Sequence, residues 1–169
     1  MQVVVLSGTV GAGKSTVAVA LRDALLARGL AAGELDVDAI ATETPSPPDD
    51  PFNERVVVAH LRAMRAHWDD AGLEVLILPR VVETAAQRDA YADALGEPVR
   101  VVRLDAPADA RHARLLARHA PGPERDWHLA RTDVLAVLLA TAGLEDLAVE
   151  NHDRSPSAVA LEIADRLGL

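Results

Sequence analysis

The 169-residue sequence predicts an α/β fold: a five-stranded parallel sheet forming the middle of three layers, with helices on both faces. Three observations predict it. Short, β-branched apolar runs alternate with helical periodicity along the whole chain. Of these runs, Val3 to Leu6 is uninterrupted by polar residues, as in a strand covered on both faces. The first of them leads directly into a glycine-rich turn and then a helix.

That first strand is Val3-Val4-Val5-Leu6, and the helix after Lys14 places Val17, Leu21 and Leu25, with Ala20 and Ala24, on one side before stopping at Gly29. A second, weaker strand, "AAGELDV", ends near Asp38. The proline-rich stretch Thr42 to Pro51 is a loop, because consecutive prolines exclude regular structure. A helix from Phe52 to Ala71 offers Val56, Ala59, Leu61, Met64 and Trp68 for burial and closes at Gly72. Then come the strand "LEVLILP", a helix from about Glu83 to Leu95 with Gly96 as its stop, and the strand "VRVVRL". A helix from about Pro107 to His119, the loop "APGPERD", a helix over Trp127 to Ala142 and the strand "EDLAVE" follow. The last helix is Ser155 to Leu167, with Ser155 as cap and Pro156 at its first position. Strand–helix alternation of this kind implies right-handed crossovers. One domain, residues 1–169, is expected, with no internal repeat.

The turn after the first strand carries the chemistry. Gly8, Gly11, Gly13, Lys14 and Ser15 fit G-x-x-x-x-G-K-[ST], in the strand–loop–helix context that motif requires. Gly8, Gly11, Ala12 and Gly13 let backbone N–H groups converge, and the helix start adds its positive dipole end, so the loop is an anion site for a nucleoside triphosphate. Lys14 is expected at the β- and γ-phosphates, Ser15 on Mg²⁺ and Thr16 on the α-phosphate. Lys14 is the only lysine; every other basic residue among the 17 Lys+Arg is arginine. A compact ammonium fits between two phosphates where a planar guanidinium does not.

Composition excludes several classes. The formal net charge of −9 opposes an extended nucleic-acid footprint, and Phe52, Trp68, Tyr91 and Trp127 are too few for a base-stacking platform. No cysteine is present, so disulfides and thiolate metal sites are out. No run approaches a membrane span and no basic leader precedes the first strand, so a cytoplasmic location is the default. Abundant alanine and arginine point to a GC-rich bacterial source.

Ligands of such a sheet sit beyond the carboxyl ends of its strands. There the second strand reads "LDVDAI", with Asp36 and Asp38 on one side if the extended geometry persists, able to hold Mg²⁺ or accept a proton; either could instead cap the following turn.

With these residues in hand, the chain resembles the small-molecule kinases of the P-loop superfamily: shikimate, gluconate and adenylylsulfate kinases, chloramphenicol phosphotransferase and the nucleoside monophosphate kinases. The resemblance implies a P-loop NTPase fold with a kinase-like lid, ATP and Mg²⁺, and a small-molecule acceptor. It makes Asp36 the metal-side carboxylate and Asp38 the acceptor-side residue or base. It places the acceptor region at about 38–72 and a lid at about 118–127, where Arg118 and Arg125 would stack on adenine or clamp the transferring phosphate. Arg111 and Arg114 are assigned to a solvated helix face. "ENHDRSP" resembles the adenine loop, with Asn151, His152 and Asp153 as its contacts.

For the acceptor, Arg55 and Arg62 lie seven apart on one helix face with His60 nearby, and Arg80 emerges at a strand's carboxyl end. The third strand ends in "ILPRVVE", without the aspartate usual there, and Glu83 is the nearest carboxylate that could replace it. His60 and His67 show no accompanying carboxylate pattern, and no zinc site is read. The expected function is transfer of the γ-phosphoryl group of ATP to a small molecule, a hydroxyl favoured over a phosphate or sulfate. A nucleotide-binding switch or inactive kinase-like module acting through a protein partner is the alternative, and monomer and homodimer are both open.

Overall fold

The computed structural model describes residues 1–42 and 44–169. Five parallel strands, β1 (Gln2–Ser7), β2 (Ala32–Glu34), β3 (Val75–Pro79), β4 (Val99–Asp105) and β5 (Leu147–Glu150), form one sheet in the order β2-β3-β1-β4-β5. The helices are α1 (Lys14–Ala27), α2 (Val37–Ala41), α3 (Glu54–Asp70), α4 (Ala85–Leu95), α5 (Ala108–Arg118), α6 (Pro123–Ala142) and α7 (Pro156–Leu167).

Strand alternation sorts the core into two layers. Val4, Leu6, Ile77, Val102 and Val149 pack against Val17, Leu21 and Leu25 of α1 and Val159 and Ile163 of α7. Val3, Val5, Leu76, Leu78 and Val101 turn the other way, against Val57 and Leu61 of α3 and Tyr91 and Leu95 of α4. β1 is therefore apolar at every position from Val3 to Leu6: both of its faces are covered. Burying each such side chain contributes roughly 1.5–3 kcal/mol.

The chain leaves β1 for the β2 edge, returns through β3, then crosses over β1 to reach β4. Crossovers diverging from one strand open a crevice at its carboxyl end. That end is where the glycine-rich turn lies.

Two element boundaries differ from expectation. β2 stops at Glu34, and Val37–Ala41 is helical, so Asp36 and Asp38 do not project together from a strand. Asp36 is instead the N-cap of α2, its Oδ1 accepting from Asp38 N at 3.0 Å, and Val37, Ile40 and Ala41 bury one helical face. The loop before α6 is also shorter, because Pro123 takes the first helical position, where its missing N–H costs nothing.

The proline-rich stretch forms no helix or strand among its described residues; Glu43 lies outside them. It is pinned at both ends. Buried Asn53 donates from Nδ2 to Ala41 O at 2.7 Å and Thr44 O at 2.8 Å, and Asp50 accepts from Glu54 N and Arg55 N at the start of α3. Among the described residues no helix is long and apolar enough to cross a membrane.

Candidate active site

The turn from Gly8 to Gly13 is packed so closely that two of its glycines leave no room for a side chain. Gly8 has φ +138° and Gly13 φ +94°; a Cβ would stand 2.6 Å from Leu104 O at the first and 2.5 Å from Asn151 Nδ2 at the second. No side chain fits at either position. Lys14 opens α1 and folds its ammonium back onto Gly8 O at 3.1 Å and Thr9 O at 3.0 Å. Burial pulls its pKa down to about 8; Arg80 and Arg118 push the same way, and the Asp38 carboxylate resists. Ser15 and Thr16 are exposed in the first turn of α1.

Three elements brace the turn from behind. Arg114 of α5 donates to Gly11 O at 3.1 Å and to Asn151 O at 2.8 Å, and Asn151 Nδ2 donates to Ala12 O at 2.7 Å. Thr132 of α6, fully buried, donates to Val10 O at 2.7 Å. Arg111 and Arg114 are thus not a solvated face: Arg111 is buried, with Nη1 donating to Ala106 O at 2.6 Å. The signal for this was present in their spacing. Arg111, Arg114, Leu115 and Arg118 recur at three and four residues, one helical face, but a search for apolar periodicity counts arginine as an outside residue. Asn151 faces the phosphate loop with its side chain, whereas Asp153 is exposed, pairs with His152 at 3.1 Å and has φ +52°.

On the other side of Lys14 stands a network centred on Arg80. Its backbone N–H donates to Leu6 O at 3.1 Å, which seats it beside the end of β1. The side chain is 8% exposed and reaches Asp38 through Nη1, Glu54 through Nε and Nη2, and Phe52 O through Nη2 at 3.0 Å. Tyr91 completes it by donating to Glu54 Oε2 at 2.7 Å. Burial opposes the Arg80 charge, yet Glu54, Tyr91 and Asp38 hold the guanidinium above its ordinary range. Burial and the Glu54 carboxylate push the Tyr91 phenol up. Of the two carboxylates in this network Asp38 is the more exposed, its side chain 63% exposed against 29% for Glu54.

The remaining expected residues are spread more widely. Arg118, the last residue of α5, is exposed, and its charge reaches Lys14. Arg125 lies in the first turn of α6, with Asp126 Oδ1 4.0 Å from its Nε. Arg55 pairs with Asp49 at 2.8 Å on the exposed surface and is not drawn into the Arg80 network. Glu83 pairs with Arg131, whose guanidinium lies 5.1 Å from the Phe52 ring centroid. Glu54, Tyr91 and Thr132 join the candidate site without a signal in the residue order, and Arg114 joins it from a face expected to be solvated.

A family model described as adenylylsulphate kinase matches residues 1–112, which hold the glycine-rich turn, Asp38 and Arg80. The chain belongs to the adenylylsulphate kinase family. It is a phosphotransferase of the P-loop small-molecule kinase type. Solved structures agree with this family member in fold along 99% of its length. One is a sugar kinase from Janibacter sp. HTCC2649 (20% identity, 95% of that chain covered, TM-score 0.64). A second is the Mycobacterium tuberculosis APS kinase in complex with AMPPNP and APS (22%, 98%, 0.62). A third is the shikimate kinase from Acinetobacter baumannii in complex with shikimate (18%, 93%, 0.66). Comparison with curated protein sequences gave no match. The family match ends at His112, so Arg114, Arg118, Arg125 and Asn151 of this family member lie beyond it.

Proposed function

We propose that this chain transfers the γ-phosphoryl group of ATP to a hydroxyl of a small molecule bound between α2, the proline-rich loop and α3. The observation that carries this is the glycine-rich turn, with no room for a side chain at Gly8 or Gly13 and the Lys14 ammonium folded onto the Gly8 and Thr9 carbonyls, together with the exposed Asp38 carboxylate held by Arg80. A phosphate-binding amine, an exposed carboxylate and a lid guanidinium around one crevice are what in-line phosphoryl transfer requires.

Gly8 to Thr16 would bind the phosphates through backbone N–H groups and the Lys14 ammonium, which would exchange its two carbonyl partners for phosphate oxygens. The residues present fit Mg²⁺: Ser15 is exposed in the first turn of α1, next to the glycine-rich turn, and exposed Asp36, whose Oδ1 caps α2, would offer its other carboxylate oxygen. When bound, Mg²⁺ offsets charge on the β- and γ-phosphates. Asp38 accepts the hydrogen bond of the acceptor hydroxyl and takes its proton, and Arg80 fixes the direction in which Asp38 presents itself. Arg80 is therefore a positioning residue. Arg118, exposed at the end of α5, closes on the transferring group, with Arg125 and the 151–153 loop on the nucleotide side.

Adenylylsulphate heads the acceptors to test, because of the family; sugars and shikimate come next, because the similar folds include kinases named for them. The experiment is ADP release from Mg·ATP across such a panel, for the parent and Lys14→Ala. One acceptor raising turnover well above the water background, with loss of roughly 10²–10³-fold in Lys14→Ala, supports the proposal.

A second reading, a nucleotide-binding module working through a protein partner, is favoured by one observation. β3 ends at Pro79 and is followed by Arg80, so no carboxylate stands where an aspartate is usual. ATP binding without acceleration by any acceptor would favour it.

A further inference from the structure

The turn between α5 and α6 gathers two imidazoles and a carboxylate. His119 is the C-cap of α5, Glu124 lies in the first turn of α6, and His128 follows Glu124 by one helical turn. Their ligand atoms all lie within 4.8 Å of one another. His119 Nδ1 is 3.4 Å and His128 Nε2 3.7 Å from the same oxygen, Glu124 Oε1, and the two rings face each other at a centroid distance of 4.3 Å with a 32° tilt. The other ring nitrogen of His128, Nδ1, is buried with no hydrogen-bond partner.

Two imidazole nitrogens and a carboxylate oxygen gathered within 4.8 Å of one another are a donor set suited to a shared cation. Bonds of 2.0–2.2 Å from nitrogen and oxygen ligands put neighbouring ligands of a tetrahedral zinc about 3.3 Å apart. The two distances to Glu124 Oε1 are near that value, and the set closes by rotation of the exposed Glu124 side chain and of the partly exposed His119 and His128 rings. Imidazole selects borderline-soft cations over Mg²⁺ and Ca²⁺, and two histidines with one carboxylate leave the fourth position for water.

We propose that His119, Glu124 and His128 bind one Zn²⁺, which ties the end of α5 to the first two turns of α6. The turn at residues 120–122 is then held closed, and the two lid arginines flanking it, Arg118 and Arg125, lose freedom. This site is separate from Ser15 and Asp36 and does not depend on the identity of the acceptor.

Calorimetric titration of the nucleotide-free chain with Zn²⁺, together with the visible bands of the Co²⁺ form, tests it directly. The expected result is one ion per chain and four-coordinate cobalt bands, with affinity falling by roughly 100-fold in His128→Gln and His119→Gln. Glu124→Gln, at an exposed position that does not support the fold, should weaken binding as well. His112→Gln, whose ring pairs with Asp133 elsewhere on α5 and α6, should leave it unchanged. Trypsin cleavage after Arg118 and Arg125 should slow with Zn²⁺ in the parent and not in His128→Gln at the same Zn²⁺ concentration. Absence of stoichiometric binding overturns the proposal. So does equal affinity in the parent, Glu124→Gln and His128→Gln.

Discussion

Between Gly8 and Lys14 the cleft is shaped by backbone atoms, whereas between Asp38 and Arg80 it is shaped by side chains reaching across the sequence. At the phosphate end, contacts at 2.5–2.6 Å from hypothetical Cβ atoms leave glycine as the residue that fits at Gly8 and Gly13. At the proposed acceptor end, one buried guanidinium joins Asp38, Glu54 and the Phe52 carbonyl, residues 42, 26 and 28 positions away from it. A backbone device tolerates little variation and recurs with fixed spacing. A side-chain device can be rebuilt with other partners, which is how one fold comes to serve different acceptors.

Four experiments would break or sharpen this contrast, beginning with the largest expected effect. Asp38→Asn should lower kcat by about 10²–10⁴-fold while leaving the affinity for a nonhydrolysable ATP analogue within a factor of about two, because the amide keeps its place but cannot take the proton. Equal activity in the variant and the parent would remove Asp38 from the chemistry. Arg80→Ala should leave the partly buried Glu54 without its cation, while exposed Asp38 turns to water, and destabilise the fold by roughly 1–3 kcal/mol, read as a lower midpoint in urea. An unchanged midpoint would mean that the network is held without it.

The third experiment is the pH dependence of nucleotide affinity. In the free protein the Lys14 ammonium titrates at about 8, whereas bound phosphates hold its proton more tightly. Below pH 8 affinity should therefore be flat with respect to this group. Above it, binding must take up a proton, and the dissociation constant should rise by at most about tenfold per pH unit. Lys14→Ala should show no such rise. The smallest effect is expected from Arg55→Ala, which removes an exposed pair with Asp49: the urea midpoint and the KM for the acceptor should both match the parent's.

The same contrast explains what was legible in the sequence. The alternation of strands and helices, β1 buried on both faces and the glycine-rich turn were readable, because local sterics and apolar periodicity write them directly into the residue order. The Arg80 partners were not, since nothing in "ILPRVVE" announces Glu54 or Tyr91. Asp36 shows a middle case. Its carboxylate suits both a strand-end ligand and a helix cap, and the burial of Val37, Ile40 and Ala41 decided for the cap. On α5, arginines serve as inward-facing residues, so Arg114 was assigned to solvent although it holds the turn from behind.

The most direct test of the central claim is to follow a labelled γ-phosphate of ATP in the presence of the best acceptor. The label should appear as a phosphate ester on an acceptor hydroxyl, and transfer should be lost in Lys14→Ala. Label found only as inorganic phosphate, at the same rate in the parent and in Lys14→Ala, would contradict it.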